Sequence, residues 1–344
     1  MTSRYLKKIQ KEISQSISGN KKIYLDTNYW LRLTDCKSEK DIVLLNLLTK
    51  LVITNKAIIP ISEYNFWEIL KQKDRSSLNR SAVIIDKLSK GISITSEKER
   101  QKLEFLQFIK INTGEEFDNL QEIVWTKLSL TIIYPIFLKY EPNLLFEDFI
   151  TFLSKISFEE ILVQLDKTSN FKPFYHKDDI VLLNSEKEKY KDQNKSFHEM
   201  FLSELGGYLD LFENDLSTYF QEYYCEKTGN IISDEEKQNF NHKSWKNMIY
   251  NLSKLKKITS ELPSFTIFPE MNAVARWNKN RKYKDGNDTF DFLHTSSALP
   301  YFDYFFTEKE LKTVISQRKL DQTFNCKVSS NIDEILSILE EDFI

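Results

Sequence analysis

Cysteine is nearly absent: Cys36, Cys225 and Cys326 are far apart and odd in number among 344 residues. That excludes a disulfide framework and a CxxC zinc site, and leaves reduced thiols in core or surface positions. No apolar run approaches the ~20 residues that a bilayer-spanning helix needs. The charged start, Met1-Thr2-Ser3-Arg4-Tyr5-Leu6-Lys7-Lys8, lacks the apolar centre of a signal peptide. A cytoplasmic protein with no membrane partner is expected. An excess of positive charge is missing too, since a net charge of −3 is not that of a general nucleic-acid binder. Also lacking are GxxxxGK followed by Ser or Thr, GxGxxG and HExxH, the loops and helices of P-loop, dinucleotide-binding and zinc-protease chemistry. There is no internal repeat and no low-complexity tract.

What is present is a chain that is 41% hydrophobic and long enough for one large domain or two around a buried core. Tyr5, Leu6, Ile9, Ile13 and Ile17 recur at helical spacing, which predicts an amphipathic helix over 3–17. A short apolar run, Ile23-Tyr24-Leu25, reads as a strand that stops on Asp26, followed by Thr27 and Asn28. Residues 41–53 read as a helix with Ile42, Leu45, Leu48 and Val52 on one side. Ala57-Ile58-Ile59-Pro60-Ile61 reads as a second strand, parallel to the first. A helix over 62–71 and another over 81–90 follow.

From 96 to 262 glycine becomes scarce and apolar residues at helical spacing alternate with Lys and Glu, which predicts helical insertion material, with a mobile Lys-rich linker at 185–195. Tyr304-Phe305-Phe306-Thr307 then reads as a strand running into Glu308, 321–328 as another, and 331–341 as a closing helix. The expected architecture is α/β: a five-element parallel sheet flanked by helices, built from 1–95 and 263–344, with a large all-helical insertion at 96–262.

In such open sheets ligands bind at the carboxyl edge, so the acids delivered there are the candidates for chemistry. Asp26 ends a buried strand; it either binds a cation or caps the turn that follows. Thr27 and Asn28 are placed to fix its rotamer. Glu63 and Glu68 compete for a second role, because five residues of helix separate their directions by about 140°. Glu63 lies in the first turn, where the helix dipole already favours it, so Glu68 is the choice. Asp288 and Asp291, three apart, share a helix face, Asp288 as a natural N-cap and Asp291 projecting from the first turn. His294, one turn on, is placed to orient a phosphate or a ligand carboxylate, or else is a core or capping histidine. Asp303 and Glu308 flank the strand at 304–307 and so lie at opposite ends of a parallel sheet; both remain candidates.

Leu25-Asp26-Thr27-Asn28, the Glu on the helix after the second strand, Asp291 with Ala298-Leu299 behind it, and Phe306-Thr307-Glu308 resemble the acidic core of PIN-domain nucleases. The resemblance covers roughly the first 90 and last 80 residues. It implies a PIN-like parallel sheet and Mg²⁺ or Mn²⁺ held by Asp26, Glu68 and Asp291, with Asp288 as a further metal-binding candidate and Asp303 or Glu308 as a fourth acid. The usual Asp after the last Thr is Glu308 here. A metal-dependent endoribonuclease hydrolysing phosphodiester bonds follows, RNA more than DNA, and by association a toxin or defence effector. The alternative is an inactive PIN-like scaffold that binds nucleic acid or a protein partner through its helical insertion. Haloacid-dehalogenase phosphatases also start from an Asp at a strand end, but need a second Asp where Asn28 stands.

One local feature bears on substrate. The run Arg276-Trp277-Asn278-Lys279-Asn280-Arg281-Lys282-Tyr283-Lys284 packs five cations and two aromatics into nine residues just upstream of Asp288. Cations for phosphates and rings for bases make a single-strand contact surface. Arg276, Lys279, Arg281 and Lys282, together with Asn28 and His294, are the expected substrate contacts; a solvated face is the plain alternative.

Overall fold

A computed structural model describes residues 2–135, 147–167, 177–230, 232, 233, 235, 243–255, 258, 260–283 and 287–343. The chain divides into two compact units, the first made of Met1–Ser96, Gln121–Tyr175 and Ser297–Ile344, the second of Glu97–Leu120 and His176–Ser296.

The first unit holds a four-stranded parallel sheet. β1 (Lys21–Leu25) pairs on one side with β2 (Ala57–Ile58) and on the other with β5 (Tyr304–Phe306), which in turn pairs with β6 (Lys327–Ser329), giving the order β2-β1-β5-β6. Ile23, Tyr24, Leu25, Phe305 and Phe306 have no exposed surface. Such uninterrupted apolar runs are what a parallel strand needs when helices cover both faces. β2 is cut short because Pro60 offers no N–H to a ladder; Ile61 instead bridges to Ser93 of β3 (Ile92–Ile94).

Helices follow the strands where expected: Thr2–Ser16 before β1, Glu39–Ile53 before β2, Glu63–Ile69 and Arg75–Ser89 after it, and Ile332–Phe343 at the end. Leu44, Leu48, Leu51, Val52, Leu339 and Ile335 join Trp30 and Phe66 in the core around the sheet. Ile42, expected on the buried side of its helix, is 47% exposed. That helix is apolar nearly all round, so periodicity does not choose the buried stripe and the packing of neighbours does.

Two sequence expectations are corrected. The sheet has four strands rather than five, because 321–328 is mostly not a strand: Leu320–Thr323 is helical and only Lys327–Ser329 is extended. Lys319 and Asn325, both in left-handed backbone (φ 55° and 53°), bracket that helix and break the extended run. The segment 96–262 is not all helical either. β4 (Trp125–Lys127) pairs antiparallel with β3, as the β-favouring run Ile123-Val124-Trp125-Thr126 permits, and Gln121–Tyr175 belongs with the sheet-bearing unit. Residues 136–146, inside that expected helical insertion, lie outside the described residues.

The second unit is helical, built on Glu97–Thr113, Phe197–Thr228, Lys243–Lys254 and Pro263–Trp277. Phe105, Leu205, Leu209, Tyr219 and Phe265 form its centre. Glu104 caps the Pro263–Trp277 helix by accepting from the backbone N–H and hydroxyl of Ser264 at 2.9 and 2.6 Å. Of the Lys-rich stretch expected as a linker, 185–189 end the helix Lys177–Lys189 and 190–195 are turn and irregular backbone, while Lys187, only 8% exposed, donates to the carbonyls of Ala275 and Asn278 at 2.7 Å each. Among the described residues no helix is long and apolar enough to cross a membrane, and Cys36, Cys225 and Cys326 are all free thiols.

Candidate metal centre at the carboxyl edge of the sheet

β1 ends at Leu25, and the ladder is carried one step further by Asp26, whose N–H donates to Phe306 O at 2.9 Å. Asp26 stands at the N-cap position of the helix Thr27–Asp35, yet its side chain makes no capping hydrogen bond. The capping alternative is therefore excluded. Its carboxylate, on a residue 2% exposed, accepts from the Thr307 hydroxyl at 2.6 Å. Thr307 is in turn fixed by its backbone N–H, which donates to Ser329 O at 3.0 Å.

Glu68 comes from the helix Glu63–Ile69, which Ser62 and Asn65 start with a reciprocal capping box. Its Oε2 accepts from the Thr27 hydroxyl at 2.6 Å. A carboxylate oxygen of Asp26 and one of Glu68 lie within 4.8 Å of each other, close enough to share a cation. Glu63 sits in the first turn of that helix, about 140° away in helical rotation.

Glu308 repeats the arrangement of Asp26. It follows β5, takes the N-cap position of the helix Lys309–Gln317, and does not cap it. The Asn28 side-chain amide donates to its Oε1. Burial pushes the Glu308 carboxyl up, and the charges of Asp26, Glu310 and Glu68 push it the same way, against the opposing Asn28 hydrogen bond. Asp26, Glu68 and Glu308 thus feel one another's charge, the electrostatic condition that a divalent cation relieves.

Thr27 donates to Glu68 and Asn28 to Glu308, while the carboxylate of Asp26 accepts from Thr307. Asn28, expected at the substrate, is committed to Glu308. Asp303 is removed from the site. Its carboxylate accepts from Lys21 Nζ at 2.7 Å and Lys22 N at 2.8 Å, at the amino end of β1. Five residues at about 3.3 Å each separate that end from Asp26.

The remaining candidates lie in the second unit. Asp288 is inside the first turn of the helix Asn287–Ala298 rather than at its cap, and it is paired with Arg281 at 2.6 Å. Asp291 and His294 lie further along that helix, Asp291 half-buried and His294 fully buried. The basic run is mostly neutralised from within its own unit, which argues against a free phosphate-binding face. Arg276 pairs with Glu204, Lys279 with Asp192 and Arg281 with Asp288, whereas Lys282 is exposed. Lys284 lies outside the described residues.

Sequence reading missed the residues behind the acids: Thr307, which donates to Asp26, and Asn65, which donates to Thr27. The one signal available for Asn65 was its place three residues after Ser62, where a capping-box partner belongs. Compared with protein-family models, curated proteins and solved structures, this chain matches none.

Proposed function

We propose that this chain is a metal-dependent, PIN-like nuclease that hydrolyses phosphodiester bonds, with RNA as the substrate class. The observation that carries the reading is the approach of Asp26 and Glu68, from two separate segments, to within 4.8 Å at the carboxyl edge of a parallel sheet, with Glu308 near enough to feel both charges. Each acid is held by a hydroxyl or amide of the same edge, and two of them decline the helix cap they occupy. Asp26 and Glu68 bring carboxylate oxygens within 4.8 Å of each other, a repulsion that a shared cation would relieve.

Asp26 and Glu68 offer hard carboxylate oxygens, a donor type that suits Mg²⁺ or Mn²⁺. A divalent cation held there would supply Lewis acidity for phosphodiester hydrolysis. Asp26 and Glu68 serve as the principal ligands, with Thr307 and Thr27 fixing their rotamers. Glu308, oriented by Asn28, completes the acidic edge.

The test is cleavage of mixed RNA and DNA by the full chain with Mg²⁺, Mn²⁺ or EDTA, for wild type and Asp26→Asn. Metal-dependent cleavage is expected and Asp26→Asn abolishes it, while its thermal midpoint without metal stays equal or rises because a like charge is removed. Turnover by Asp26→Asn equal to wild type would sink the assignment, and no cleavage by wild type under any metal would point to an inactive scaffold.

A further inference from the structure

The hydrogen bonds behind Glu68 run in one direction. Asn65 has no exposed surface, and its side-chain amide can be oriented without ambiguity because two of its partners are backbone groups. The Ser62 N–H, which can only donate, lies 3.2 Å from Oδ1, and the Leu25 carbonyl, which can only accept, lies 3.1 Å from Nδ2. The same Nδ2 also donates to Thr27 Oγ1 at 3.3 Å. Thr27 has a single hydroxyl hydrogen, and with Asn65 donating into its oxygen that hydrogen is directed at Glu68 Oε2, 2.6 Å away.

On the other side of Asn65 the order continues. Ser62 Oγ donates to Asn65 Oδ1 at 3.0 Å, which leaves the Tyr24 hydroxyl to donate to Ser62 Oγ across 2.7 Å. Tyr24, Ser62, Asn65 and Thr27 are all buried, so none of these bonds is easily exchanged for water.

We propose that Asn65 is a positioning residue for Glu68, acting through the Thr27 hydroxyl; the inference rests on the reading of Asp26 and Glu68 as metal ligands. Asn65 does more than cap its helix. It ties the last carbonyl of β1 to the helix that carries Glu68 and sets which way Thr27 points its proton. Partners one shell behind metal ligands govern affinity in just this manner, typically by 10–100-fold.

The experiment measures Mn²⁺ affinity of the full chain by calorimetry, and kcat and KM, for wild type, Thr27→Val, Thr27→Ser, Asn65→Asp, Glu68→Gln and the double variant Asn65→Asp/Glu68→Gln. Asn65→Asp keeps the oxygen that Ser62 needs and loses the donor to Thr27. Thr27→Val keeps the volume and loses the hydroxyl, which Thr27→Ser restores. Asn65→Asp and Thr27→Val are expected to weaken Mn²⁺ binding about 10–100-fold and lower kcat, Thr27→Ser to stay near wild type, and Asn65→Asp to add no loss once Glu68 is Gln. An equal loss from Asn65→Asp in both backgrounds overturns the positioning role, as does Thr27→Val matching Thr27→Ser; the latter comparison stands even if Asn65→Asp does not fold. Wild-type Mn²⁺ affinity in Glu68→Gln, or no Mn²⁺ binding by wild type, would instead bring down the metal reading and the inference with it.

Discussion

Asp26, Thr27 and Asn28 are consecutive, yet each enters a different hydrogen bond: Asp26 with Thr307, Thr27 with Glu68 and Asn28 with Glu308. Three adjacent side chains therefore tie β1 to the helix after β2 and to the end of β5. At this scale the two Glu residues of one short helix separate cleanly, because only Glu68 has the direction that meets Thr27. Glu68→Gln is expected to reduce metal-dependent turnover by about two orders of magnitude. Glu63→Gln is expected to leave turnover intact and to cost at most about 1 kcal/mol through the helix terminus. Steady-state kinetics and urea titration of both variants check the ranking, and the reverse order would mean that Glu63 is the functional acid.

Among the elements, helix starts decide where the acids are free to turn. Ser38 and Ser62 open their helices with capping boxes, whereas Asp26 and Glu308 hold N-cap positions without capping. The Ser38 box supplies a pH test away from the site. Asp41, 5% exposed, accepts from Ser38 N at 3.0 Å, Ser38 Oγ at 2.7 Å and Arg32 Nε at 3.0 Å. Burial works to raise its carboxyl, but the Ser38 and Arg32 contacts overcome it and hold the group below its ordinary 3.8. A depressed carboxyl contributes stability that is present above the unfolded value and lost as pH falls through the folded one. Asp41→Asn is therefore expected to cost about 1–2 kcal/mol at neutral pH. Its deficit in thermal midpoint should narrow as the pH drops below 3.8. A deficit that stays constant to the lowest pH at which both proteins fold would show that the charge of Asp41 is not what matters.

Across the whole molecule, charge that looks available in the sequence is largely spent inside a unit. Arg276 and Glu204 have side chains only 20% and 16% exposed, and burial pushes the Glu204 carboxyl up against the pull of Arg276. Lys279 and Asp192, by contrast, are 65% and 71% exposed. Arg276→Ala strands a half-buried carboxylate and is expected to cost about 1–3 kcal/mol. Lys279→Ala should stay within about 0.5 kcal/mol, as exposed pairs do. Urea denaturation of the two variants decides: an equal, negligible cost would return the basic run to the surface and to a part in nucleic-acid binding.

The sequence by itself determined the parallel order of the central strands and the helices beside them. Ile23-Tyr24-Leu25 and Tyr304-Phe305-Phe306 are apolar without alternation, and Ser62 with Asn65 marks a helix start, so burial on both faces and local capping are written in neighbouring residues. It also marked Asp26, Glu68 and Glu308 as strand-end and helix acids. Only the tertiary structure decided which donor meets which acid, that Asp303 faces the other edge, that β4 forms inside a helix-rich segment, and that the cations of 276–282 are mostly paired. Those outcomes depend on residues up to 282 positions apart, such as Lys21 and Asp303, and on which of several apolar stripes a neighbour covers. Periodicity and propensity report on a few turns of chain, whereas a hydrogen bond across the sheet edge is chosen by distance in the folded state.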